Sequence, residues 1–407
     1  MGSQAPCPPN PARDRMASSD AGFSGGRSNL AGLPVSQHET RPMDGDPLSG
    51  GSLSGPQAPV PPASPPPLQQ GDQPQRGRFK HVFAAIDLGT NNCRLLVARP
   101  QTDGFRVIDA FSRTVRLGEG VSRSGVLSED AMGRTIAALK VCVAKMRRDG
   151  VTRHRAIATE ACRAASNVGA FLARARRETG LAFEVIPAGE EARLCAAGCA
   201  PLIEGDHRAA LVFDIGGGST EVIHVELPPE RRDRPQIRAW ASAPVGVVTL
   251  AEHFAHVAAP DYGAMVAHAS SIIGDALTRA NFSPPGEGRY HMLGTSGTVT
   301  TLAGVHLGLR KYDRSKVDGT WMTGAELRAV SDDLVSRARN GDPMHPCVGA
   351  DRADLVVPGC AILDAILDRW PADRVRVADR GLREGILLGL MAKADKEGRR
   401  RKRRFRR

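Results

Sequence analysis

Two short segments that share one pattern constrain the fold of this 407-residue chain most strongly. In the first, the apolar run 82–86 leads into 87–91 (DLGTN), and a second strand-like run follows. In the second, the apolar run 211–213 leads into 214–220 (DIGGGST), again followed by a strand-like run. A short apolar run that ends at a turn signal predicts a buried strand, so each segment is expected to form a strand-turn-strand hairpin. The repetition predicts two structurally related halves.

Helical and strand patterns alternate over the rest of the chain. The predicted strands lie at 155–158, 183–186 and 291–293, and the predicted helices at 128–148, 161–178, 190–200 and 298–307. Such alternation is typical of the α/β class. We place a domain boundary near Gly205, which gives one domain over 80–205 and another over 206–395.

The two ends of the chain differ from the part between them. Residues 1–79 are rich in Pro, Gly, Ser and Gln, so they are predicted to form a disordered extension; a start codon placed too far upstream would explain them equally well. The net charge is +11, and residues 399–407 carry eight Lys or Arg, which leaves 11 − 8 = 3 for the remainder. We therefore predict a disordered basic tail at 396–407, whose role as a solubility tail, an RNA contact or a grip on a polyanionic substrate stays open.

Composition narrows the class of protein. No apolar run approaches the roughly 20 residues of a membrane span, and no secretory signal is visible, so we expect a soluble cytoplasmic protein without a membrane partner. The eight cysteines form neither a disulfide framework nor a zinc pattern. Cys195 and Cys199 lie four apart on a predicted helix, but buried thiols are favoured over a metal site because no second pair follows.

The glycine-rich turns point to phosphate. A phosphate is bound by converging backbone N–H groups, and Gly permits close approach and positive φ. A third such turn, 294–298, leads into a predicted helix. The alternative is that each glycine only makes a turn, but three such turns favour phosphate binding. The candidate phosphate-binding residues are Thr90, Asn91, Gly216, Gly217, Gly218, Ser219, Thr220 and Gly297.

Two kinds of acidic position could take part in chemistry. Asp87 and Asp214 end apolar strands, where a carboxylate could hold Mg²⁺, an ion that prefers oxygen ligands shared between protein and phosphate. The alternative for both is a turn-stabilising role. Glu190 and Glu191 open a predicted helix, where either could take a proton from an attacking water. Complementing the helix dipole is the alternative there, and on sequence physics alone it is favoured.

The residues resemble the exopolyphosphatase and guanosine pentaphosphate phosphohydrolase (Ppx/GppA) family over about residues 82–390. Five motifs in order support the resemblance, with Thr90 and Asn92 standing where Ser is more usual: 86–95 (IDLGTNNCRL), 158–167 (ATEACRAASN), 189–194 (GEEARL), 214–220 and 381–385 (GLREG). The resemblance implies an α/β chain with two actin-like (ribonuclease H-like, ASKHA) domains and an active-site cleft between them.

The resemblance also implies residue roles. Glu191 would deprotonate the water that attacks the terminal phosphorus, with the adjoining Glu190 as the alternative base. Asp214 would share Mg²⁺ with the phosphate oxygens. Arg94 and Arg163 would bind the anionic chain, because a guanidinium can hold two phosphate oxygens at once; a surface salt bridge is the alternative for each. Long family members carry a further C-terminal region of the HD type, and no His-Asp pair in such a context follows Glu384, so the chain resembles a short two-domain member.

These observations lead to one main hypothesis and several alternatives. The leading hypothesis is an exopolyphosphatase that releases terminal orthophosphate from inorganic polyphosphate by Mg²⁺-assisted attack of water. Hydrolysis of guanosine pentaphosphate (pppGpp) is the alternative within the same chemistry. Outside it stand a sugar kinase or ATPase on the same fold, and a noncatalytic polyanion-binding or filament-forming protein. The sequence leaves open whether the chain forms a homodimer.

Overall fold

The computed structural model describes residues 77–203, 208–228, 235–257, 261–286 and 290–404. Residues 401–404 are described by their backbone alone. The predicted disordered extension lies outside the described residues up to residue 76, and residues 77–80 form a 3-10 helix. The predicted boundary at Gly205 also lies outside them. The division into domains 80–205 and 206–395 therefore stays a prediction.

The first sheet has five strands in the order β3-β2-β1-β4-β5. Antiparallel pairing joins β1 to β2 and β2 to β3, whereas β4 runs parallel to both β1 and β5. Every residue of β1 is buried, which explains why its sequence is a continuous apolar run before Asp87. The strands are β1 (Phe83–Leu88), β2 (Asn92–Gln101), β3 (Gly104–Thr114), β4 (Arg153–Ala158) and β5 (Phe183–Val185).

The second sheet has six strands in the order β10-β11-β9-β6-β7-β8. Its β6, β7 and β8 form an antiparallel meander, and β9 pairs with β6 in parallel, which repeats the arrangement of the first sheet. The predicted structural repetition of the two halves is therefore visible in the topology. The strands are β6 (Ala209–Ile215), β7 (Thr220–Glu226), β8 (Gln236–Ala243), β9 (Tyr290–Thr295), β10 (Trp321–Thr323) and β11 (Arg374–Ala378).

Helices cover the two sheets. Their ends follow local sequence signals: Ser128 caps the helix that begins at Glu129, and Thr323 forms a capping box with Glu326. The helices are α1 (Val121–Ser124), α2 (Glu129–Arg148), α3 (Glu160–Ala164), α4 (Val168–Thr179), α5 (Ala188–Cys199), α6 (Val247–Phe254), α7 (Tyr262–Arg279), α8 (Ser296–His306), α9 (Arg314–Val317), α10 (Gly324–Asn340), α11 (Ala353–Arg369) and α12 (Leu382–Arg404), with 3-10 turns at Ala200–Leu202 and Ala350–Arg352.

Helix α5 contacts both sheets, and α12 packs beside it. Leu194 of α5 packs in one cluster with residues of β1 and of α12, while Cys195 of α5 packs in another with residues of the second sheet. The helices α5 and α12 approach so closely that a Cβ added at Gly385 would lie 2.0 Å from the Leu194 carbonyl oxygen. The last helix thus contacts the first sheet, and its close contact with α5 requires glycine.

Two predicted elements differ from the structure. The helix predicted over 161–178 is divided into α3 and α4, because the Asn167 side chain bonds both the N–H and the carbonyl of Leu127 instead of continuing the helix. The basic tail predicted from residue 396 does not begin there, because α12 continues to Arg404; residues 405–407 lie outside the described part. Within the described ranges, no helix is long and apolar enough to span a membrane, and the cytoplasmic location stays a prediction.

Candidate active site

A cleft of about 780 Å³ opens where the two hairpins meet. Both hairpins line it, together with the N-terminus of α8 and the segment that leads into α12. Of the residues predicted from the sequence, those that line the cleft are Asp87, Thr90, Asn91, Arg94, Glu191, Asp214, Gly216, Gly217, Gly218, Ser219 and Gly297. Those that do not are Arg163, Glu190 and Thr220. The chain fold therefore gathers most of the predicted site.

The two hairpins contact each other directly. A Cβ added at Gly217 would lie 3.0 Å from the Thr90 Cβ, and one added at Gly218 would lie 2.6 Å from the Thr90 hydroxyl oxygen. None of Gly216, Gly217 and Gly218 has positive φ. The close approach of neighbouring atoms therefore explains these glycines. Positive φ, which the sequence analysis gave as a further reason for glycine, does not occur at these three positions.

Hydroxyl groups near the second hairpin are already engaged. The Ser219 hydroxyl donates to Glu221 Oε1 at 2.7 Å. The buried Thr220 hydroxyl donates to the Val245 carbonyl at 2.6 Å, so Thr220 does not reach the cleft. The prediction of Thr220 as a phosphate-binding residue is thus not supported by its position, because the strand β7 already begins there and turns its side chain inward.

Four carboxyl groups come together below the hairpins. Burial raises the pKa of Asp87 and of Asp214, and Arg94 opposes the increase in both. Glu221, which the sequence argument missed, is buried beside them, and burial together with Asp214 raises its pKa to about 7. The fourth group is Glu191, whose pKa is raised by burial and by Glu221. Burial and mutual repulsion thus both disfavour ionisation of the whole cluster at once.

The two predicted metal-binding carboxylates both line the cleft. Asp87 and Asp214 offer carboxylate oxygens at the strand ends, and Asp214 Oδ2 also accepts a weak hydrogen bond from Cys195 Sγ at 3.7 Å. Among the described residues, no three or more His, Cys, Asp or Glu side chains form a complete ligand set. Asp87 and Asp214 can supply the one or two carboxylates that Mg²⁺ commonly takes, with water and phosphate oxygens completing its shell.

Glu191 and Glu190 lie in different surroundings although they are adjacent. Glu191 lines the cleft and accepts from Arg163 Nη1 at 2.7 Å. Glu190 is outside the cleft lining and accepts from Arg193 at 2.6 Å and 2.7 Å and from Arg155 at 3.1 Å. Hydrogen bonds from Arg193 lower the pKa of Glu190. Of the two predicted bases, only Glu191 therefore faces the hairpins.

Arg163 has a different position from the one expected of a phosphate ligand. Its guanidinium donates to Glu160 at 2.7 Å and 2.9 Å, to Glu191 at 2.7 Å and to the Ile186 carbonyl at 3.0 Å. These contacts engage all of its nitrogen atoms and hold it behind Glu191, outside the cleft lining. The geometry favours a role in orienting Glu191 over direct contact with the phosphate chain.

Other arginines face the cleft. Arg94, Arg352 and Arg383 line it, and within the described ranges none of their side chains forms an ion pair or hydrogen bond. Arg94 and Arg352 converge above the α8 N-terminus, where a Cβ added at Gly297 would lie 3.9 Å and 3.7 Å from them. Burial and the neighbouring Arg94 lower the pKa of Arg352. Two cations held this close, beside a helix N-terminus, form a site for an anion.

The C-terminal GLREG segment shapes the cleft wall. Glu384 is buried and accepts from the Gly381 N–H at 2.9 Å and from Arg314 at 2.7 Å, which fixes the turn before α12. Arg383, next to it, faces the cleft. The segment thus orders the wall through Glu384 and adds a cation through Arg383.

The fold and site define an α/β enzyme built on two related sheets, whose cleft presents paired hairpins, buried carboxylates and cations suited to a phosphorylated substrate. The Ppx/GppA phosphatase family model matches residues 96–394, so the chain belongs to that family. The family resemblance noted in the sequence is therefore confirmed.

Individual relatives agree with this membership. The chain is 30% identical to exopolyphosphatase 2 of Mycobacterium tuberculosis over 324 residues, which cover 75% of this chain and 98% of the relative. A Ppx/GppA family member from Aquifex aeolicus superposes with a TM-score of 0.62 at 30% identity, covering 77% of this chain and 98% of that one. An exopolyphosphatase from Cytophaga hutchinsonii superposes with a TM-score of 0.64 at 25% identity and the same coverages. The predicted α/β fold class of actin-like type, with its two mixed sheets, is confirmed, whereas the domain bounds stay a prediction.

Proposed function

We propose that this chain is an exopolyphosphatase, which releases terminal orthophosphate from inorganic polyphosphate by Mg²⁺-assisted attack of water. The observation that carries the proposal is the position of Glu191, a buried carboxylate that faces both phosphate hairpins and is held by Arg163. Membership of a phosphatase family and two relatives named exopolyphosphatase support it.

In this proposal the cleft binds successive phosphates of one chain. Backbone N–H groups of the two hairpins bind the terminal phosphate at Thr90 and Gly217, where the hairpins meet. Arg94 and Arg352, beside Gly297, bind the phosphate that follows, and Arg383 extends the cationic wall. Unpaired guanidinium groups suit this task because each can donate two hydrogen bonds to one phosphate.

Asp87 and Asp214 would hold Mg²⁺ in the proposed site, because their oxygens meet its preference for hard ligands. The ion, when bound, neutralises charge on the phosphate oxygens and lets them enter a cluster of buried carboxylates. Glu221 accepts a hydrogen bond from the Ser219 hydroxyl at 2.7 Å, which keeps the Glu221 side chain fixed behind the hairpin. Asp87, Asp214 and Glu221 thus balance the cation, and Glu191 is left to act on water.

Glu191 acts as the general base. It takes a proton from the water as the water oxygen bonds to the terminal phosphorus, and the bond from phosphorus to the bridging oxygen breaks. The shortened chain leaves as an anion with the electron pair of the broken bond. The water supplies the new oxygen of the orthophosphate, gives one proton to Glu191 and keeps its other proton on that oxygen. Arg163 fixes the direction of Glu191 through its 2.7 Å contact and favours the ionised form needed to accept that proton.

The substrate class is tested by comparing initial rates of phosphate release from polyphosphates of several lengths and from pppGpp, with Mg²⁺ present and after chelation. We expect polyphosphate to be hydrolysed faster than pppGpp, and release to cease without Mg²⁺. Faster release from pppGpp would assign the site to that substrate instead. Undiminished release after chelation, or none from either substrate with Mg²⁺, would contradict the proposal.

A further inference from the structure

The first hairpin is bonded to the segment that follows β3. The N–H groups of Val115 and Arg116 donate to the Asn91 carbonyl at 2.9 Å and 3.0 Å, and the Gly118 N–H donates to the Thr90 carbonyl at 2.9 Å. We call residues 115–124 the strap, since they run from this hairpin to the end of α1. A movement of the strap must therefore move the hairpin residues.

The second hairpin is bonded to α6 in a similar way. The N–H groups of Val247 and Val248, at the start of this helix, donate to the carbonyls of Gly216 and Gly217 at 3.0 Å and 2.8 Å. Gly246 lies against the same turn, where an added Cβ would lie 2.5 Å from the Gly217 carbonyl carbon. The helix α6 and the second hairpin are therefore expected to move together.

Glu252 of α6 joins these two assemblies. Its Oε1 accepts from the Gly120 N–H at 2.6 Å, and its Oε2 accepts from the Ser122 hydroxyl at 2.5 Å. Both donors belong to the strap. The connection from the first hairpin through the strap, Glu252 and α6 to the second hairpin is thus continuous, and Glu252 is the link that a single substitution removes.

Two other side-chain contacts that join the strap to residues of the second half are weaker. Arg116 pairs with Asp354 at 2.9 Å, but both side chains are substantially exposed, and exposed ion pairs contribute little. Arg123 lies 3.3 Å from His256 through nitrogen atoms on both sides, at an exposed position. Glu252 instead makes two charge-assisted bonds, one of them to a backbone amide, which are stronger and directionally fixed.

We propose that Glu252 is a positioning residue that sets the separation of the two phosphate hairpins. The inference rests on the proposed function, in which both hairpins bind one terminal phosphate. Without Glu252, the direct contact of Thr90 with Gly217 and Gly218 is left to hold the hairpins at this spacing. Phosphate binding then has to bring the hairpins together, which weakens affinity for the substrate more than it slows the chemical step.

The test compares Glu252→Ala with the wild-type chain and with Glu129→Ala. Glu129 is a suitable control because its carboxylate is largely exposed and pairs with Arg174, which is not a residue of the strap or of either hairpin. We expect Glu252→Ala to raise the KM for polyphosphate about tenfold, with kcat changed less than about threefold, since a lost charge-assisted bond corresponds to roughly that factor. Glu129→Ala should keep both constants.

Two further measurements separate positioning from general damage. Glu252→Gln keeps one acceptor oxygen but loses the charge and the second acceptor, so its KM should lie between those of the wild-type chain and Glu252→Ala. Ser122→Ala, which removes one donor, should also raise KM by less than Glu252→Ala. Hydrogen exchange without substrate should become faster in Glu252→Ala at the amides of the strap and of both hairpins, while α10 keeps its wild-type protection.

The outcomes distinguish this inference from the proposed function. If the wild-type chain hydrolyses polyphosphate and Glu252→Ala has an unchanged KM, or loses only kcat, Glu252 does not position the hairpins. Unchanged exchange at both hairpins would overturn the inference equally. If the wild-type chain releases no phosphate, the proposed function fails, whereas the exchange measurement still reports whether Glu252 links the hairpins.

Discussion

Replacing Glu191 with Gln is expected to lower phosphate release from polyphosphate by about 10²–10⁴-fold, the usual contribution of a general base. The substitution keeps the size and hydrogen-bonding shape of the side chain but removes its ability to accept a proton. Binding of polyphosphate should persist, because the hairpins and cleft arginines are unchanged. Initial-rate and equilibrium-binding measurements on the same protein check both statements.

Glu190→Gln is the matched control for this substitution. Glu190 is adjacent in sequence, but its carboxylate is engaged by Arg193 and Arg155 outside the cleft lining. We expect its replacement to change the rate by less than about threefold, because Glu190 lies outside the cleft lining and its bonds to Arg193 are exposed to solvent. Equal losses in the two variants would remove the distinction between them, and full activity in Glu191→Gln would exclude it as the base.

The pH dependence of the rate should identify the same group. Burial and Glu221 raise the pKa of Glu191, and the base must be ionised to work, so activity falls as pH decreases through that raised pKa. Arg163 lowers the pKa of Glu191, so Arg163→Gln should shift the acidic limb of the rate profile to higher pH. The residual rate of Glu191→Gln should lack that limb. If Arg163→Gln left the acidic limb at the same pH, the limb would not report the ionisation of Glu191.

Replacing Gly385 with Ala is expected to destabilise the chain by about 1–3 kcal/mol, the usual cost of overpacking. The new Cβ would lie 2.0 Å from the Leu194 carbonyl oxygen, and neither backbone can yield without moving α5 or α12. Because α5 also carries Glu191, phosphate release should fall even where the protein remains folded. Urea unfolding and initial rates measure the two effects.

The same helix provides a control for the loss of glycine. Gly389 is exposed on α12, and a Cβ added there meets nothing within 4 Å. Gly389→Ala should therefore be neutral or stabilising by up to about 1 kcal/mol, because alanine favours helix. If Gly385→Ala were as stable and active as Gly389→Ala, close contact between α5 and α12 would not be what requires glycine.

The parts of the site that were predictable lie close together in sequence. Each hairpin is a strand, a turn and a strand, so its apolar runs and glycines reveal it without tertiary information. The order of the motifs then indicated the family and brought Glu191 forward from an otherwise ordinary helix start. Those predictions depend on local chemistry and on motif order, both of which a single sequence contains.

The missed features depend on contacts between distant segments. Arg352 lies in a short 3-10 turn with no motif of its own, and it becomes a site residue only because the fold brings it to Arg94. Arg163 was recognisable as a cation, but its engagement by Glu160 and Glu191 could not be deduced from spacing. Glu221 is different, because it directly follows the glycine-rich turn of the second hairpin. An acid placed just inside the returning strand was therefore an available signal in the sequence.

The central claim is that water, activated in this cleft, attacks a terminal phosphorus. It is tested most directly by incubating the wild-type chain with polyphosphate and Mg²⁺ in ¹⁸O-labelled water and measuring the label in the released orthophosphate by mass spectrometry. We predict that each orthophosphate released in a single turnover contains one oxygen atom from water. Phosphate that appears only on an added nucleotide or sugar acceptor, without oxygen from water, would contradict the account and indicate a kinase on the same fold.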